Sequence, residues 1–395
     1  MPTQRQLFFE YLGLPSSTPL GLEISSAKGI YLYTPDGKDY IDMVSGVAVS
    51  NLGHQHPDTI RAVKDQADHY MHLMVYGEFI QSPQVKLAEA LAGVLPAQLH
   101  STFFVTSGSE AVEGAMKLAK RYTGRTEVIA FTNAYHGGTQ GALSIAGNES
   151  IKNSFRPLIP DISFLEFNNF KDLERISEKT ACVVAETIQA EAGIILPEEG
   201  FLEALRERCS ATGALLVIDD VQMGMGRTGK MFSFEHYRFV PDILCLAKAF
   251  GAGMPLGAFI SSKEIMNSLT YNPELGHITT FGGHPVSCAA ALASLQYLSS
   301  SGIIDYAEVK AGIFIDRLCP HPQIKEIRHK GLMLGIELDS KESVDKVINL
   351  FLQHGLVADS FFFCPQAFRI APPLIITGEE IHLCCDRIIK SLDSL

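Results

Sequence analysis

The chain has 395 residues, which is long enough for a large domain together with a smaller one. Its 44 acidic and 32 basic side chains give a formal net charge of −12, and no Lys/Arg-rich block concentrates positive charge, so nucleic acid is not an expected partner. No apolar run approaches the roughly 20 residues that span a bilayer, and the N-terminal apolar stretch is too short for a secretory signal. We therefore expect a cytoplasmic protein without membrane contact. The scattered cysteines show no metal-binding spacing, so no metal site is expected.

The first predicted element is a β-hairpin near the N-terminus. Residues 29–42 hold two runs of alternating polar and apolar residues, joined by the turn Pro35-Asp36-Gly37. These turn residues predict two antiparallel strands. We assign residues 1–50 to the N-terminal segment of a small domain.

Residues 51–286 form the predicted large domain. Between about residues 100 and 260, short apolar runs alternate with helical patterns, which is typical of βαβ units and a mostly parallel sheet between helices. The predicted strands are Thr102–Val105, Glu127–Phe131, Ala181–Ala185, Ala214–Ile218, Ile243–Leu246 and Gly257–Ser261. The predicted helices are Glu110–Tyr122 and Gly200–Thr212, each ending close to a glycine. The fold class is therefore α/β.

A second, smaller α/β unit is predicted in residues 287–395. It begins with an Ala-rich helix from Ser287 to about Leu298. The segments that follow read β-α-β-β-α, and they are Gly331–Leu338, Lys341–His354, Gly355–Phe363, Phe368–Ile370 and Gly378–Leu392. Together with residues 1–50, this unit would make a small domain built from both ends of the chain.

Two of the predicted strands are followed closely by a charged residue. Asp219 ends the run Leu215–Ile218, and Lys248 follows Ile243–Leu246 after one alanine. Ligands of open α/β sheets bind beyond the carboxyl ends of the strands, so both side chains are expected to face one crevice. Taken singly, such a lysine is usually an ordinary surface residue, and such an aspartate is as often a helix or loop cap.

The pair has a specific chemical use if both side chains meet one cofactor. Apolar neighbours lower the pKa of a lysine, and its neutral amine attacks a carbonyl to form a Schiff base. A carboxylate across the crevice can protonate and pair with the ring nitrogen of pyridoxal phosphate, which keeps that ring an electron sink. Asp219 and Lys248 therefore suggest a pyridoxal phosphate site.

A phosphate-bearing cofactor also needs an anion site, and residues 102–111 offer one. They combine a strand, a Ser/Gly turn and the start of a helix, where free backbone N–H groups and the helix dipole favour a phosphate. Ser107 and Ser109 add hydroxyl donors. Taken alone, a serine before a helix is more often a plain N-cap.

A competing motif in residues 251–257 looks like a dinucleotide-binding fingerprint. Its last glycine, Gly257, comes one residue too late, and Pro255 stands where a helix should continue. Another apolar strand follows instead of that helix. A dinucleotide-dependent dehydrogenase is therefore disfavoured.

Nine segments match a known family in the same order along the chain. They are Asp36–Asp42, Asn51–Pro57, Thr106–Ala111, Tyr135–Gly137, Asp219–Gln222, Gly226–Gly229, Leu246–Ala249, Thr280–Gly283 and Phe368–Pro373. With them the chain resembles the class III, or ω-amino acid, aminotransferases of the fold-type I pyridoxal phosphate enzymes. Ornithine and acetylornithine aminotransferases look most similar.

The resemblance implies a role for each residue of a cofactor site. Lys248 is expected to form the Schiff base and to move the substrate proton, and Asp219 to hold the ring nitrogen of pyridoxal 5′-phosphate. The other implied contacts are Val221 and Tyr135 on the two ring faces, Gln222 at the ring hydroxyl, Ser107, Gly108 and Ser109 at the phosphate, His136 and Glu186 around the ring, and Thr280 at the neighbouring subunit's phosphate. A site shared across a subunit boundary implies a homodimer.

Two further residues bear on the substrates. A guanidinium grips a carboxylate with two hydrogen bonds, so Arg369 is a candidate clamp for a substrate carboxylate, the alternative being a structural ion pair. Glu191 matches the glutamate that in the family pairs with this arginine while an ω-amine is bound, and swings away when glutamate or 2-oxoglutarate enters. The pair implies two substrates of different shape in one site.

Two departures from the family pattern concern the donor. Where many relatives carry a carboxylate-binding arginine after the Tyr-His-Gly motif, this chain has Gly138. Where ornithine aminotransferases carry a substrate-facing tyrosine, this chain has Val47. We therefore hypothesise a donor whose remote end is less polar than that of ornithine, or one held by an arginine from elsewhere, such as Arg156.

The sequence thus predicts a pyridoxal phosphate-dependent aminotransferase. It would move an amino group from an ω-amino acid or related primary amine to 2-oxoglutarate through a ping-pong cycle between the pyridoxal and pyridoxamine forms. Two alternatives stay open: an aminomutase of the glutamate-semialdehyde type on the same fold, and a catalytically idle relative that acts as a binding protein. Lys248, Asp219 and the phosphate turn, all present, argue against the idle relative.

Overall fold

The computed structural model describes residues 2–395, and its N-terminal part confirms the predicted hairpin. The elements of this part are α1 (Gln4–Tyr11), β1 (Ser26–Lys28), β2 (Tyr31–Tyr33), β3 (Asp39–Asp42), the short turn α2 (Ser45–Ala48), α3 (Pro57–His69) and α4 (Ser82–Val94). β2 and β3 pair antiparallel, with Tyr33 opposite Asp39. Gly37 takes φ +83° in the turn between them, a conformation that favours glycine.

A seven-stranded sheet forms the centre of the molecule. Its strands and the helices between them are β4 (Ser101–Val105), α5 (Gly108–Thr123), β5 (Glu127–Phe131), α6 (Gln140–Ser144), β6 (Ile162–Leu165), β7 (Thr180–Ala185), α7 (Phe201–Thr212), β8 (Leu215–Asp219), β9 (Ile243–Leu246), β10 (Gly257–Ser261) and α8 (Lys263–Met266). The strand order is β4-β10-β9-β8-β7-β5-β6. β9, β8, β7, β5 and β6 run parallel, whereas β10 is antiparallel to both of its neighbours. The predicted mostly parallel sheet is confirmed, and β6 is a strand that the sequence did not indicate.

The sheet is buried on both faces, which explains its uninterrupted apolar strands. In β8, Leu215 and Val217 belong to one apolar cluster with α5, while Leu216 and Ile218 belong to a second cluster on the other face. This alternation follows from the period of two in a strand. The sheet therefore holds the ends of its parallel strands in fixed positions, and these ends surround the site described below.

The C-terminal part returns to the N-terminal hairpin. Its elements are α9 (Pro285–Ser300), α10 (Ala307–Leu318), β11 (Glu326–Lys330), β12 (Met333–Glu337), α11 (Lys341–Gln353), β13 (Leu356–Val357), β14 (Ala367–Ile370) and α12 (Gly378–Leu392). β11, β12 and β14 form an antiparallel sheet, whereas β13 lies parallel to β3 and completes the sheet β1-β2-β3-β13. The two ends of the chain thus meet in one sheet. The division at residues 50 and 286 stays a prediction.

The predicted strand Gly355–Phe363 is wrong beyond Val357. Residues 359–364, which we call the aromatic strap, form only an isolated bridge to β14 at Ser360, and the backbone groups that follow bind elsewhere. The backbone N–H groups of Phe362 and Phe363 donate to the Glu191 side chain and carbonyl, at 3.2 and 2.9 Å. An apolar run alone does not distinguish such a segment from a strand.

No helix within residues 2–395 has both the length and the apolar character that crossing a membrane requires.

Candidate active site

A cavity of about 500 Å³ lies beyond the carboxyl ends of the parallel strands. Ten of the residues predicted from the sequence line it: Ser107, Gly108, Ser109, Tyr135, His136, Glu186, Asp219, Val221, Gln222 and Lys248. They come from the ends of β4, β5, β7, β8 and β9 or from the turns that follow. The parallel strands therefore bring these distant positions to one edge of the sheet.

Asp219 and Lys248 meet because β8 and β9 are adjacent and parallel. Asp219 is the last residue of β8 and is buried, and Lys248 begins the turn after β9 with φ +50°. Burial lowers the pKa of the Lys248 amine, although Glu191 acts in the opposite direction. The neutral amine that attacks a carbonyl is thus favoured.

His136 and the Val221 N–H hold the Asp219 carboxylate in place. His136 Nδ1 lies 2.8 Å from Asp219 Oδ2, and the Val221 N–H donates to Asp219 Oδ1 at 3.1 Å. Burial opposes the charge of His136, but the neighbouring Asp219 carboxylate raises its pKa. The carboxylate is therefore fixed in position at the cavity wall, with a basic group beside it.

Glu186 supports the segment that carries Tyr135. Its two oxygens accept hydrogen bonds from the backbone N–H groups of Tyr135 and Ala190, at 3.3 and 3.1 Å. Burial raises the pKa of Glu186 to about 7, with Asp219 adding to the effect. Glu186 thus links the loop after β5 to the loop after β7.

The start of α5 provides an anion cradle. Ser107 caps this 16-residue helix, since its hydroxyl accepts from the Glu110 N–H at 3.2 Å. A Cβ on Gly108 would lie 2.9 Å from the Val221 side chain, so only glycine allows the helix to come this close. Free N–H groups at a helix start, with serine hydroxyls beside them, suit a phosphate.

These observations fit pyridoxal 5′-phosphate. The cavity combines an anion cradle, a buried carboxylate and a lysine with a lowered pKa, and these are the groups that this cofactor's phosphate, ring nitrogen and carbonyl need. Within the described residues, no three His, Cys, Asp or Glu side chains gather to hold a metal ion.

Arg369 and Glu191 form a buried ion pair next to the cavity. Arg369 Nη2 donates to both Glu191 oxygens, at 2.9 and 3.0 Å, and its Nη1 donates to Gln222 Oε1 at 2.7 Å. Burial disfavours the charged form of Glu191, but Arg369, Lys248 and the hydrogen bonds to its side chain together lower its pKa. Gln222 lines the cavity together with Lys248 and Asp219, so the ion pair lies directly behind one residue of the cavity wall.

The other faces of the Arg369 guanidinium are also covered. Phe361 lies 4.7 Å from it, ring centroid to Cζ, and Asp359 Oδ1 lies 3.5 Å from Nε. Burial raises the pKa of Asp359 to about 6, with Arg369 opposing the shift. The guanidinium is therefore held in place by groups other than Glu191.

Val47 lies in a turn whose backbone is in the left-handed region. Ser45, Gly46, Val47 and Ala48 all have φ between +54° and +64°, and a β-branched residue rarely adopts this region. Asp42 accepts from the Ser45 N–H at 2.8 Å, and the Ser45 hydroxyl donates to the Ala371 carbonyl at 2.6 Å. Contacts from both ends of the chain thus hold the turn, and Val49, just after it, lines the cavity.

The remaining predicted residues lie in different places. The Gly138 N–H donates to the Ser109 hydroxyl at 3.2 Å, beside the anion cradle. Arg156 is bound by both oxygens of Glu149, at 2.7 and 2.8 Å, and does not line the cavity. Thr280 is exposed, away from the cavity of its own chain.

Several lining residues were missed by the sequence interpretation. They are Val49, Met223, Ala247, Gly253, Met254, Pro255 and Leu256. The segment 251–257 carried a signal, since its glycines indicate a chain that passes close to a neighbour. The aromatic strap carried one as well, because three consecutive phenylalanines followed by Cys and Pro are unusual for a strand with one exposed face.

The fold and this site define a pyridoxal phosphate-dependent aminotransferase of fold type I. The family model described as "Aminotransferase class-III" matches residues 14–392, and the chain belongs to this family. Enzymes of the family use pyridoxal 5′-phosphate to pass an amino group from a donor to a 2-oxo acid.

Curated relatives and solved structures agree with this assignment. The acetylornithine aminotransferase of Methanopyrus kandleri is 38% identical, over 92% of this chain and 92% of its own length. That of Methanocaldococcus jannaschii is 37% identical, over 95% of this chain and 94% of its own. The structure of an ornithine aminotransferase from Toxoplasma gondii superposes with a TM-score of 0.91 at 28% identity, covering 100% of this chain and 96% of that one.

Proposed function

We propose that the enzyme transfers the amino group of a primary ω-amine to 2-oxoglutarate in two half-reactions at one site. The main support for this proposal is the Arg369–Glu191 pair. Arg369 is hydrogen-bonded to Gln222, and Gln222 lines the cavity that holds Lys248. A single arginine that is already neutralised by a glutamate suits a site that must receive both an uncharged and a carboxylate-bearing substrate.

The chain's own residues would hold the cofactor as follows. Ser107, Gly108 and Ser109 with the start of α5 would bind the phosphate, and Asp219, steadied by His136, would bind the ring nitrogen. Val221 and Tyr135 would cover the ring faces, and Gln222 would reach the ring hydroxyl. When bound, pyridoxal 5′-phosphate supplies an electron sink that lets a hydrogen on the amine-bearing carbon leave as a proton.

Lys248 would move that proton. Burial lowers the pKa of its amine, which raises the fraction of neutral Nζ that can act as a base. No other basic side chain lines the cavity except His136, whose Nδ1 is engaged with Asp219. The same amine would thus serve first as the attachment point and then as the general base.

Glu191 and Arg369 would separate the two substrates. With the pair closed, the guanidinium is neutralised and an uncharged part of the donor can lie beside it. An acceptor carboxylate would take the place of Glu191 and form the same two hydrogen bonds with Arg369. Phe361 and Asp359 would keep the guanidinium in position during this exchange.

The donor's remote end is expected to be less polar than that of ornithine. Gly138 provides no guanidinium beside the anion cradle, and Val47 provides no hydroxyl. Arg156, the alternative source of a positive charge, is already bound by Glu149. A donor carboxylate at this end would therefore find no partner among these three positions.

Acetylornithine is the second candidate donor. It is favoured by the 36 to 38% identity with archaeal proteins named acetylornithine aminotransferase. Gly138 disfavours acetylornithine, because an α-carboxylate at the remote end of the donor would need a cationic partner at this position. An aminomutase on the same fold is distinguished from both by its independence of an acceptor.

A homodimer is proposed as the working assembly. Large apolar side chains are exposed on two neighbouring segments, and they are Met71, Leu73, Phe79, Ile80, Tyr271, Leu275, Ile278 and Phe281. His72 packs on Phe281 at 5.1 Å between ring centroids and joins the two segments into one surface. Exposed apolar surfaces of this kind are typical of subunit contacts, and Thr280 lies within this one.

An amine-donor screen tests the proposal. The purified enzyme is mixed with each donor alone and then with 2-oxoglutarate or pyruvate, while cofactor absorbance is followed. We expect apolar primary amines to convert the cofactor in the first step and 2-oxoglutarate to restore it in the second. Efficient turnover of ornithine or acetylornithine would contradict the donor assignment, and return of an isomerised donor without acceptor would indicate an aminomutase.

A further inference from the structure

The aromatic strap is anchored at two points and leaves one ring free. Phe361 and Cys364 are buried in an apolar cluster with Ala48 and Met223. Phe362 lies between these anchors, and 59% of its surface is exposed. Phe363 also lies between the anchors but is partly covered, so Phe362 is the more exposed of the two rings.

The free ring packs against a residue of the cavity wall, Tyr135. Its centroid is 5.3 Å from that of Tyr135, with the planes inclined by 51°. Tyr135 lines the cavity and is the residue proposed to cover one face of the cofactor. The Phe362 ring therefore adds apolar surface next to Tyr135, on a side that solvent reaches.

The backbone of the same residue binds the glutamate of the ion pair. The Phe362 N–H donates to Glu191 Oε2 at 3.2 Å, and the Phe363 N–H donates to the Glu191 carbonyl at 2.9 Å. The position of the Phe362 ring is therefore tied to the closed Arg369–Glu191 pair. When Glu191 leaves Arg369, the hydrogen bond to Phe362 must break as well.

We propose that Phe362 determines donor specificity, by forming an apolar wall for the remote end of a primary amine that carries no charge at that end. This rests on the proposed function and names the substrate class of that site. The ring is in place while the Arg369–Glu191 pair is closed, which is the state for the donor. A terminal methyl group would lose contact with water against this ring, whereas a terminal carboxylate gains nothing from an apolar surface and finds no cationic partner at Gly138.

Hexylamine and 6-aminohexanoate make a matched pair of probes. They have the same number of carbon atoms and differ in whether the end remote from the amine is a methyl group or a carboxylate. Binding is measured by calorimetry to the cofactor-loaded Lys248→Ala variant, which cannot complete turnover. The same measurement is made with Phe362→Ala added, and with Phe170→Ala added as control, since Phe170 is an exposed phenylalanine that packs on Phe201 instead.

We expect hexylamine to bind more tightly than 6-aminohexanoate, and Phe362→Ala to weaken hexylamine by about tenfold, because that is the effect of losing roughly 50 Å² of apolar contact. The affinity for 6-aminohexanoate should change less than about threefold. Phe362→Leu should restore most of the hexylamine affinity. The rate with 2-oxoglutarate in the second half-reaction should also change little in Phe362→Ala with Lys248 intact, since the backbone N–H that binds Glu191 is retained.

Three results would overturn the proposal: tighter binding of 6-aminohexanoate than of hexylamine, no loss of hexylamine affinity in Phe362→Ala, or an equal loss for both probes, which would indicate a loosened strap. The proposed function fails separately. If the intact enzyme binds hexylamine more tightly but passes no amino group to 2-oxoglutarate, the role of Phe362 in donor binding is supported and the proposed transamination is contradicted.

Discussion

The cofactor side and the substrate side of the site are built differently. On the cofactor side, Asp219 ends β8, Lys248 lies just after the neighbouring strand β9, and Ser107 lies just after β4. On the substrate side, the turn Ser45–Ala48, the Glu191 loop, and the aromatic strap with β14 come from three separate stretches of the chain. The first side is a direct product of the parallel sheet, whereas the second depends on long-range contacts. Its residues can therefore change without altering the sheet.

Replacement of Lys248 is the strongest test of the cofactor side. Lys248→Ala should reduce transamination by about 10⁴-fold, because both the attachment point and the general base are lost. The measurement is single-turnover conversion of the cofactor by hexylamine, with the thermal unfolding midpoint as a check on folding. Lys263→Ala, at an exposed position in α8, is the matched control. Substantial residual transamination would show that another lysine acts.

Replacement of Arg369 tests the substrate side. Arg369→Lys keeps the charge but loses the planar two-bond geometry, so KM for 2-oxoglutarate should rise roughly 10- to 100-fold. The half-reaction with hexylamine should change much less, because that donor does not need the guanidinium. Comparison of the two half-reactions by stopped-flow absorbance checks this. An equal effect on both would mean that Arg369 supports the structure and does not select the acceptor.

A new arginine at position 138 would sharpen the contrast, because it offers the donor a cation while the backbone N–H at this position can still donate to Ser109. A Cβ on Gly138 would have no heavy atom within 4 Å, and the backbone there does not require glycine. Gly138→Arg should raise kcat/KM for acetylornithine about tenfold relative to hexylamine, by giving its carboxylate a partner. Gly93→Arg, at an exposed position of α4, adds the same charge elsewhere. An unchanged ratio in Gly138→Arg would show that the remote end of the donor lies elsewhere.

The smallest effect concerns stability on the cofactor side. Burial raises the pKa of Asp220 to about 7, although the Ser233 N–H donates to it at 3.0 Å. An acid with a raised pKa in the folded protein stabilises it below the unfolded pKa near 4, and this contribution is lost as the pH rises to about 7. The free energy of unfolding should therefore fall between pH 5 and pH 8, and the fall should be about 1 to 2 kcal/mol smaller in Asp220→Asn.

Urea unfolding at the two pH values measures this difference. Burial also raises the pKa of Glu186 to about 7, so the free energy of unfolding of the Asp220→Asn variant should still fall in part as the pH rises. Asp345→Asn, at an exposed position of α11, is the control and should leave the fall unchanged. An identical pH dependence in Asp220→Asn and in the unsubstituted protein would show that Asp220 ionises as freely in the folded state as in the unfolded one.

The cofactor side was easier to predict from the sequence than the substrate side. The strands of the large sheet were predictable because both faces are buried, which makes each strand an apolar run, and Asp219 and Lys248 stood out where two runs ended. β6 was not predictable in this way, since Ile162–Leu165 is short and only its last residue is fully buried. The ten cavity residues were found because strand ends and family motifs coincide there.

The substrate side was harder to predict because its conformations depend on distant contacts. Nothing local indicates that Val47 adopts φ +64°, since Asp42 and Ala371 hold the turn that contains it. The strap was mistaken for a strand because its phenylalanines are apolar, whereas its backbone N–H groups bind Glu191. Arg369 and Glu191 were proposed as partners only through the family resemblance.

The bond from the Ser45 hydroxyl to the Ala371 carbonyl has a consequence for biosynthesis. The two residues are 326 positions apart. At ordinary rates of translation, roughly half a minute passes between the addition of one and of the other. During that time the nascent chain can already have formed the sheet that carries Asp219 and Lys248, while the turn beside it has no partner. A ribosome-bound enzyme would thus acquire its cofactor site before the pocket that discriminates among amines.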